Sequence, residues 1–207
     1  MSKIDISAAV KHLSKNDKVL STIIKNIGII NLTQRKKYFN LLIGSIISQQ
    51  LSTYSAAAIQ KRFFSFFKNN PGPENVLKTE DLDLRALGLS NAKVKYVKDL
   101  SAKFLAGEVK LTGFGKMADE EVIAELTKVK GIGVWTAHMF LIFTLGRLNI
   151  LPVGDFGIRK SIMVNYSLKN LPDEKKIREI AKKNNWHPYC SVVSLYLWRS
   201  LDTKVES

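Results

Sequence analysis

The residue types best suited to chemistry gather between Leu126 and Phe156, in the run LTKVKGIGVWTAHMFLIFTLGRLNILPVGDF. Lys130-Gly131-Ile132-Gly133 reads as a tight turn between two helices, and Asp155 stands 22 residues beyond Gly133, where a third helix begins. Glycines on either side of an apolar residue let the main chain reverse sharply. The first-turn amides of the following helix then lack helical partners and point outward, where they can hold a phosphate oxygen. Such a hairpin grips a DNA backbone without reading its sequence. Asp155 has two compatible roles. It is a favoured N-cap for a helix over 156–167, and it is an anion favoured by the positive end of that helix dipole, ready to face developing positive charge.

The elements that must position these groups read as helices throughout. Two short helices are expected over 6–14 and 17–27, the second stopped by Gly28. Thr33 is expected to cap a long helix whose apolar residues, Phe39, Leu41, Leu42, Ile43, Ile46 and Ile47, are too numerous for one face; it should be central and buried, ending near Ser48-Gln49-Gln50. Ser52 restarts a helix that Asn69-Asn70-Pro71-Gly72-Pro73 breaks. Its phenylalanines, Phe63, Phe64, Phe66 and Phe67, read as packing rather than as a platform for bases. After a Glu74–Lys78 turn come a helix closed by Gly88 and another capped by Ser90 that runs to Ala106-Gly107, carrying Lys93, Lys95, Lys98 and Lys103. Asp119 and two glutamates open the helix leading into the hairpin, and Gly146 closes the helix after it. A helix to about Tyr166, one starting at Leu171-Pro172-Asp173, a break at Trp186-His187-Pro188 and a last helix to Leu201 complete an all-α reading with no fold-defining repeat.

Composition sets the class of partner. Lys and Arg number 32 against 18 Asp and Glu, a formal charge of +14, which calls for a polyanion. One cysteine, Cys190, rules out both an internal disulfide and a four-cysteine iron–sulfur cluster. Three histidines, His12, His138 and His187, lack metal-ligand spacing. The charged N-terminus does not read as a secretory signal, and the longest apolar tract, Ala137 to Leu145, is far short of the roughly 20 residues that span a bilayer. The expectation is a DNA-associated monomer without membrane attachment, in a prokaryotic cytoplasm or a eukaryotic nucleus.

The hairpin and its aspartate resemble the helix-hairpin-helix plus Gly-Pro-Asp motif of the DNA glycosylase superfamily, and the details are most similar to its 3-methyladenine DNA glycosylase II, alkylated-base branch. Three further segments resemble family signatures in the family's order: Ile46-Ile47-Ser48-Gln49-Gln50-Leu51-Ser52, Ala86-Leu87-Gly88-Leu89-Ser90 with Lys93, and Pro188-Tyr189 with Tyr196-Leu197-Trp198-Arg199-Ser200-Leu201-Asp202. The resemblance runs from about Asn40 to Asp202. It implies two helical lobes, one from 1–36 with 147–207 and one from 37–146 ending in the hairpin, with a cleft for DNA and the base between them. The N-terminal α/β domain of longer family members is expected to be absent.

The resemblance also implies roles. Asp155 would stabilise an oxocarbenium-like sugar and orient or deprotonate the attacking water while an N-glycosidic bond breaks. Trp135 and Trp198, with His138 and Met139, would line the pocket of a flipped base, indoles suiting a cationic purine. Gln50, with Leu51 as competitor, would fill the space that base leaves. Lys128, Lys130, Gly131, Gly133, Val134 and Thr136 would hold the DNA backbone. Members that also cut the strand carry a Schiff-base lysine where this chain has Trp135, so the expected enzyme is monofunctional, needs no cofactor, and is compatible with a monovalent cation at the hairpin. An alkylated purine is already a good leaving group, so one carboxylate suffices. Four positions depart from the pattern: His138 for the usual glutamate, Val134 and Cys190 for arginines, and Val153 ahead of Gly154-Asp155. Three other readings compete: a glycosylase for deaminated or mismatched bases, a glycosylase with lyase activity, and a non-catalytic hairpin module. The last would need neither Asp155 nor a base pocket.

Overall fold

The structure, a computed structural model, describes residues 2–202. Helices dominate, and the chain forms two compact units, 1–35 with 141–207 and 36–140.

In the first unit, Asp17 decides how the N-terminal segment is held. It ends α1 (Ser7–Asn16) and caps α2 (Lys18–Ile27), its Oδ1 accepting the amides of Val19 at 2.9 Å and Leu20 at 3.0 Å. Its Oδ2 accepts the hydroxyl of Tyr166 and, at 2.8 Å, the indole N–H of Trp186. Asp17 is buried, so these four donors are what makes its charge tolerable there. They tie the start of the chain to residues 149 and 169 positions later. Gly28 ends α2, and its carbonyl accepts the hydroxyl of Tyr196.

Thr33 does not cap a helix. It lies in β2 (Leu32–Gln34), which pairs antiparallel with β1 (Ser2–Ile4), Lys3 opposite Thr33. Two three-residue strands are too short to show an alternating pattern in sequence. Three further helices complete this unit: α10 (Phe156–Asn165), α11 (Glu174–Lys183) and α12 (Cys190–Asp202). Cys190 through Leu197 are all buried, so α12 is the unit's central rod, and Ser161 of α10 meets Ser200 of α12 at 2.9 Å.

The second unit is built on α3 (Tyr38–Ser48), which is as apolar all round as its sequence suggests: Leu42, Ile43, Ile46 and Ile47 are fully enclosed. Around it lie α4 (Thr53–Phe66, capped by Ser52), α5 (Pro73–Lys78), α6 (Asp81–Ala86) and α7 (Asn91–Leu105, capped by Ser90). Phe63 is enclosed, whereas Phe66 is half exposed. The Glu74–Lys78 turn is in fact a helix with Pro73 in its first turn. In α8 (Asp119–Thr127) Glu121 reaches back to the amide of Ala118 at 2.7 Å and fixes the start. The hairpin follows, then α9 (Val134–Phe140), which runs on into a π-helical turn over Leu141–Leu145.

Candidate active site and DNA-binding hairpin

Asp155 caps α10. Its Oδ1 accepts the amide of Ile158 at 2.8 Å, the bond a helix N-cap makes, and also the indole N–H of Trp198 at 2.9 Å. Two donors on one oxygen hold the carboxylate plane in place, and the helix N-terminus adds a positive field. Trp198 is held in turn by α12 on one side and by Phe143 on the other, the rings 5.7 Å apart and inclined by 29°. Space for this contact comes from Gly157. A Cβ there would stand 3.0 Å from Cδ1 of Trp198, 3.1 Å from Oδ1 of Asp155 and 3.2 Å from the indole nitrogen. A side chain there would crowd both groups, which would have to give by a few tenths of an ångström.

In the other unit the hairpin is clamped onto α7. Asp99 accepts the amide of Lys130 at 2.8 Å and the ammonium of Lys103 at 3.0 Å, and Lys103 also donates to the carbonyl of Lys128. Burial pushes the Asp99 carboxyl up, but the Lys130 amide and the two lysines outweigh it and hold it below the usual carboxylate range. Gly131 has φ +81°, and a Cβ on it would fall 2.2 Å from the ring of Tyr96, so its lack of a side chain is required twice over. Gly133 is different: nothing lies within 4 Å of where its Cβ would be. Its carbonyl accepts the amide of Ala137, so α9 starts at Val134 and presents its first-turn amides beside an open glycine.

The candidate backbone contacts are not equal. The side chain of Lys130 is 72% exposed, 3.8 Å from Asp99. Lys128 instead lies on Glu125, three residues earlier, and on the carbonyl of Glu108 at 3.2 Å, so its ammonium is turned back toward α8. Thr136 is buried, which leaves its main chain rather than its hydroxyl for a phosphate. Val134 is exposed.

The turn after α3 belongs to the same unit. Gln50 has φ +56° and is exposed, with Leu51 exposed beside it. Behind them Lys93 donates to the carbonyl of Ile47 at 2.7 Å, and burial pushes its pKa down. Gln60 donates to the carbonyl of Gly44 and to the hydroxyl of Ser48. Gln49 reaches across to the hairpin and donates to the carbonyl of Gly131 at 2.8 Å.

A half-buried carboxylate held rigid at a helix start, in a chain that also carries a glycine hairpin on a basic scaffold, matches a known repair architecture. The sequence profile of the HhH-GPD superfamily of base excision DNA repair proteins matches residues 43–186.

The chain belongs to the HhH-GPD superfamily.

Among its relatives, a DNA-3-methyladenine glycosylase of Saccharomyces cerevisiae is 31% identical over 240 residues, covering 96% of this chain and 81% of the relative. Two solved structures share the fold at similar identity. The Schizosaccharomyces pombe 3-methyladenine DNA glycosylase Mag1, in complex with abasic DNA, superposes with a TM-score of 0.83 at 30% identity over 93% of this chain and 96% of that one. A DNA-3-methyladenine glycosidase from Bacillus halodurans gives 0.86 at 32% over 100% and 95%.

Within this HhH-GPD chain, the expected site residues fall into two groups. Trp135, His138 and Met139 share one face of α9, at spacings of three and four; Trp135 is half exposed, and His138 and Met139 are half-buried. Trp198 and Asp155, assigned separate parts in the sequence, are hydrogen-bonded partners. Sequence reasoning missed Gly157, Phe143, Tyr96, Asp99, Lys103 and the contact of Gln49. Asp99 and Lys103 carried a signal, opposite charges four apart on a helix, but it reads as an ordinary surface pair. Gly157, two residues after the key aspartate and near the start of a helix, was the more telling clue.

Proposed function

We propose that this protein is a monofunctional DNA glycosylase that excises alkylated purines from duplex DNA and leaves an abasic site. The observation that carries the reading is the Asp155 carboxylate, locked by Ile158 and Trp198 at the start of α10, in a chain whose superfamily relatives are DNA-3-methyladenine glycosylases. The C1′–N bond breaks and its electron pair leaves with the base. The sugar gains oxocarbenium character, which the fixed anion stabilises, and water adds to C1′ while Asp155 orients it or takes its proton. A purine methylated at N3 or N7 leaves readily because it already carries positive charge, so the reading extends to 3-methyladenine and 7-methylguanine first, with 1,N6-ethenoadenine and hypoxanthine as slower substrates.

The hairpin supplies the grip on the backbone, through the amides that open α9 and the exposed Lys130. The chemistry needs no cofactor. A monovalent cation at the hairpin would have to share its carbonyls with this chain's own donors, since those of Lys128 and Gly131 already receive Lys103 and Gln49. Duplexes each carrying one of the four lesions, incubated with protein and then treated with alkali to cleave abasic sites, test the proposal. Excision of 3-methyladenine or 7-methylguanine with no release of normal bases is the expected result; release of uracil or thymine from mismatches alone would replace it with the deaminated-base reading.

A further inference from the structure

The turn between α3 and α4 carries an exposed tip on a fixed base. At the base, side chains from α4 and α7 hold the last turns of α3: Gln60 donates to the carbonyl of Gly44 and to the hydroxyl of Ser48, and Lys93 donates to the carbonyl of Ile47, which has no donor within the helix. At the tip, Gln50 is held in the left-handed region and Leu51 is 37% exposed. A side chain in that posture costs energy that only a specific environment repays.

Gln49 joins this turn to the hairpin. Its side-chain amide donates to the carbonyl of Gly131 at 2.8 Å, although 82 residues separate them in sequence. The hairpin does not depend on that bond. Asp99, Lys103 and the packing of Tyr96 on Gly131 anchor it to α7 independently. Nor does the end of α3 depend on it, because Lys93 and Gln60 hold that end. Both segments rest on α7, and what this bond adds is a direct tie between the turn that carries the Gln50–Leu51 tip and the turn placed to hold phosphate.

We propose that Gln49 is a positioning residue that locks the Gln50–Leu51 tip to the phosphate-gripping hairpin, so that holding the backbone and entering the duplex are done by one rigid body. The inference rests on the glycosylase reading, in which a nucleotide is extruded and its place in the stack filled. Unstacking a paired base is costly, and the filling side chain offsets that cost only if it arrives in register with the gripped phosphates. A tip free to swing would have to be ordered at the moment of insertion. The carbonyl of Gly131 therefore serves as a registration point between two segments with separate tasks.

The test uses the full chain with Gln49→Ala and Gln49→Met, the second keeping the length of the side chain while removing its amide donor without adding charge. Three quantities are compared with wild type: affinity for an undamaged duplex, single-turnover excision of 1,N6-ethenoadenine paired with thymine, and excision of the same lesion opposite an abasic site, where extrusion costs less. Both variants are expected to bind undamaged duplex within about twofold of wild type, to lose about tenfold in excision from the paired site, the size of one hydrogen bond, and to recover most of that loss opposite the abasic site. Equal loss on both substrates, weaker binding of undamaged duplex, or no loss at all would each overturn the proposal. If wild type excises neither this lesion nor 3-methyladenine or 7-methylguanine, the glycosylase reading has failed rather than the tie. Extrusion is then read directly from the fluorescence of a 2-aminopurine placed in the duplex: a rise with wild type that Gln49→Ala lacks supports the tie, and equal signals overturn it.

Discussion

Trp198 donates its indole N–H to the same oxygen of Asp155 that caps α10 through the amide of Ile158. The carboxylate therefore cannot rotate without breaking both bonds. A charge fixed before the reaction needs no reorganisation while positive charge grows on the sugar, which is what the proposed reaction asks of it. Replacing Asp155 by Asn keeps an oxygen for both donors and removes only the charge. Excision should fall by at least about 100-fold in single-turnover assays, with DNA affinity and thermal stability nearly kept. Full activity in Asp155→Asn would take the residue out of the mechanism.

Trp198→Phe separates the indole donor from the ring. Stacking on Phe143 survives, but the bond to Asp155 is lost. A hydrogen bond to a charged group is worth about 1.5–3 kcal/mol, so the chemical step should slow roughly 10- to 100-fold. Gly157→Ala should give a smaller defect in the same direction, because its new methyl crowds both the indole and the carboxylate oxygen. Variants that lose lesion affinity but keep the rate of the bound complex would assign Trp198 to base stacking alone.

The two hairpin glycines should differ. At Gly131 a side chain meets Tyr96 and an unfavourable φ, so Gly131→Ala should lower stability and weaken all DNA binding together. At Gly133 a side chain meets open space, so Gly133→Val should leave the melting temperature nearly unchanged yet weaken binding to damaged and undamaged duplexes alike, by obstructing the phosphate. Loss confined to lesion-bearing DNA would place Gly133 in the base pocket instead.

Burial pushes the Cys190 thiol up to about 12, from an ordinary value of 9. Tyr166 shifts in the same direction, through burial first and its bond to Asp17 second. Both groups hold protons more tightly when folded. The stability they contribute is intact below their ordinary pKa values and is lost as pH rises beyond them. Unfolding free energy should accordingly decline above about pH 9, and the Cys190 thiol should react with iodoacetamide at pH 8 only as fast as the protein opens. Rapid labelling of the native protein would contradict the burial.

The sequence made the helices legible because their signals are local: Asp17, Ser52, Ser90, Asp155 and Asp173 each accept a first-turn amide of the helix they precede. It made the hairpin legible because a turn that needs a positive φ, as Gly131 has at +81°, is written in glycine, although Gly133 beside it meets no such backbone demand. Thr33 misled because it is β-branched, and pairing with a strand about 30 residues earlier is invisible to a local reading. The bonds that tune the site were equally hidden. Gln49 to Gly131, Asp99 to Lys130 and Trp198 to Asp155 span 82, 31 and 43 residues, and nothing in their spacing announces them.

The chemistry of the product follows from where the lysines stand. A glycosylase that also cuts the strand needs an amine that attacks C1′ and forms a Schiff base, whereas one that uses water leaves an intact abasic strand. After the hairpin this chain presents Trp135, half exposed and without an amine. Of the two lysines of the turn, Lys128 lies on Glu125, and Lys130 is exposed with its ammonium 3.8 Å from Asp99, placed for a phosphate rather than desolvated as an attacking amine must be. Sodium borohydride reduces a Schiff base to a permanent link, so it reports amine attack directly. No protein–DNA adduct should form when the enzyme excises its lesion in borohydride, and strand breaks should appear only after alkali is added. An adduct that forms with Asp155 intact and disappears in Lys128→Ala or Lys130→Ala would replace hydrolysis with lyase chemistry.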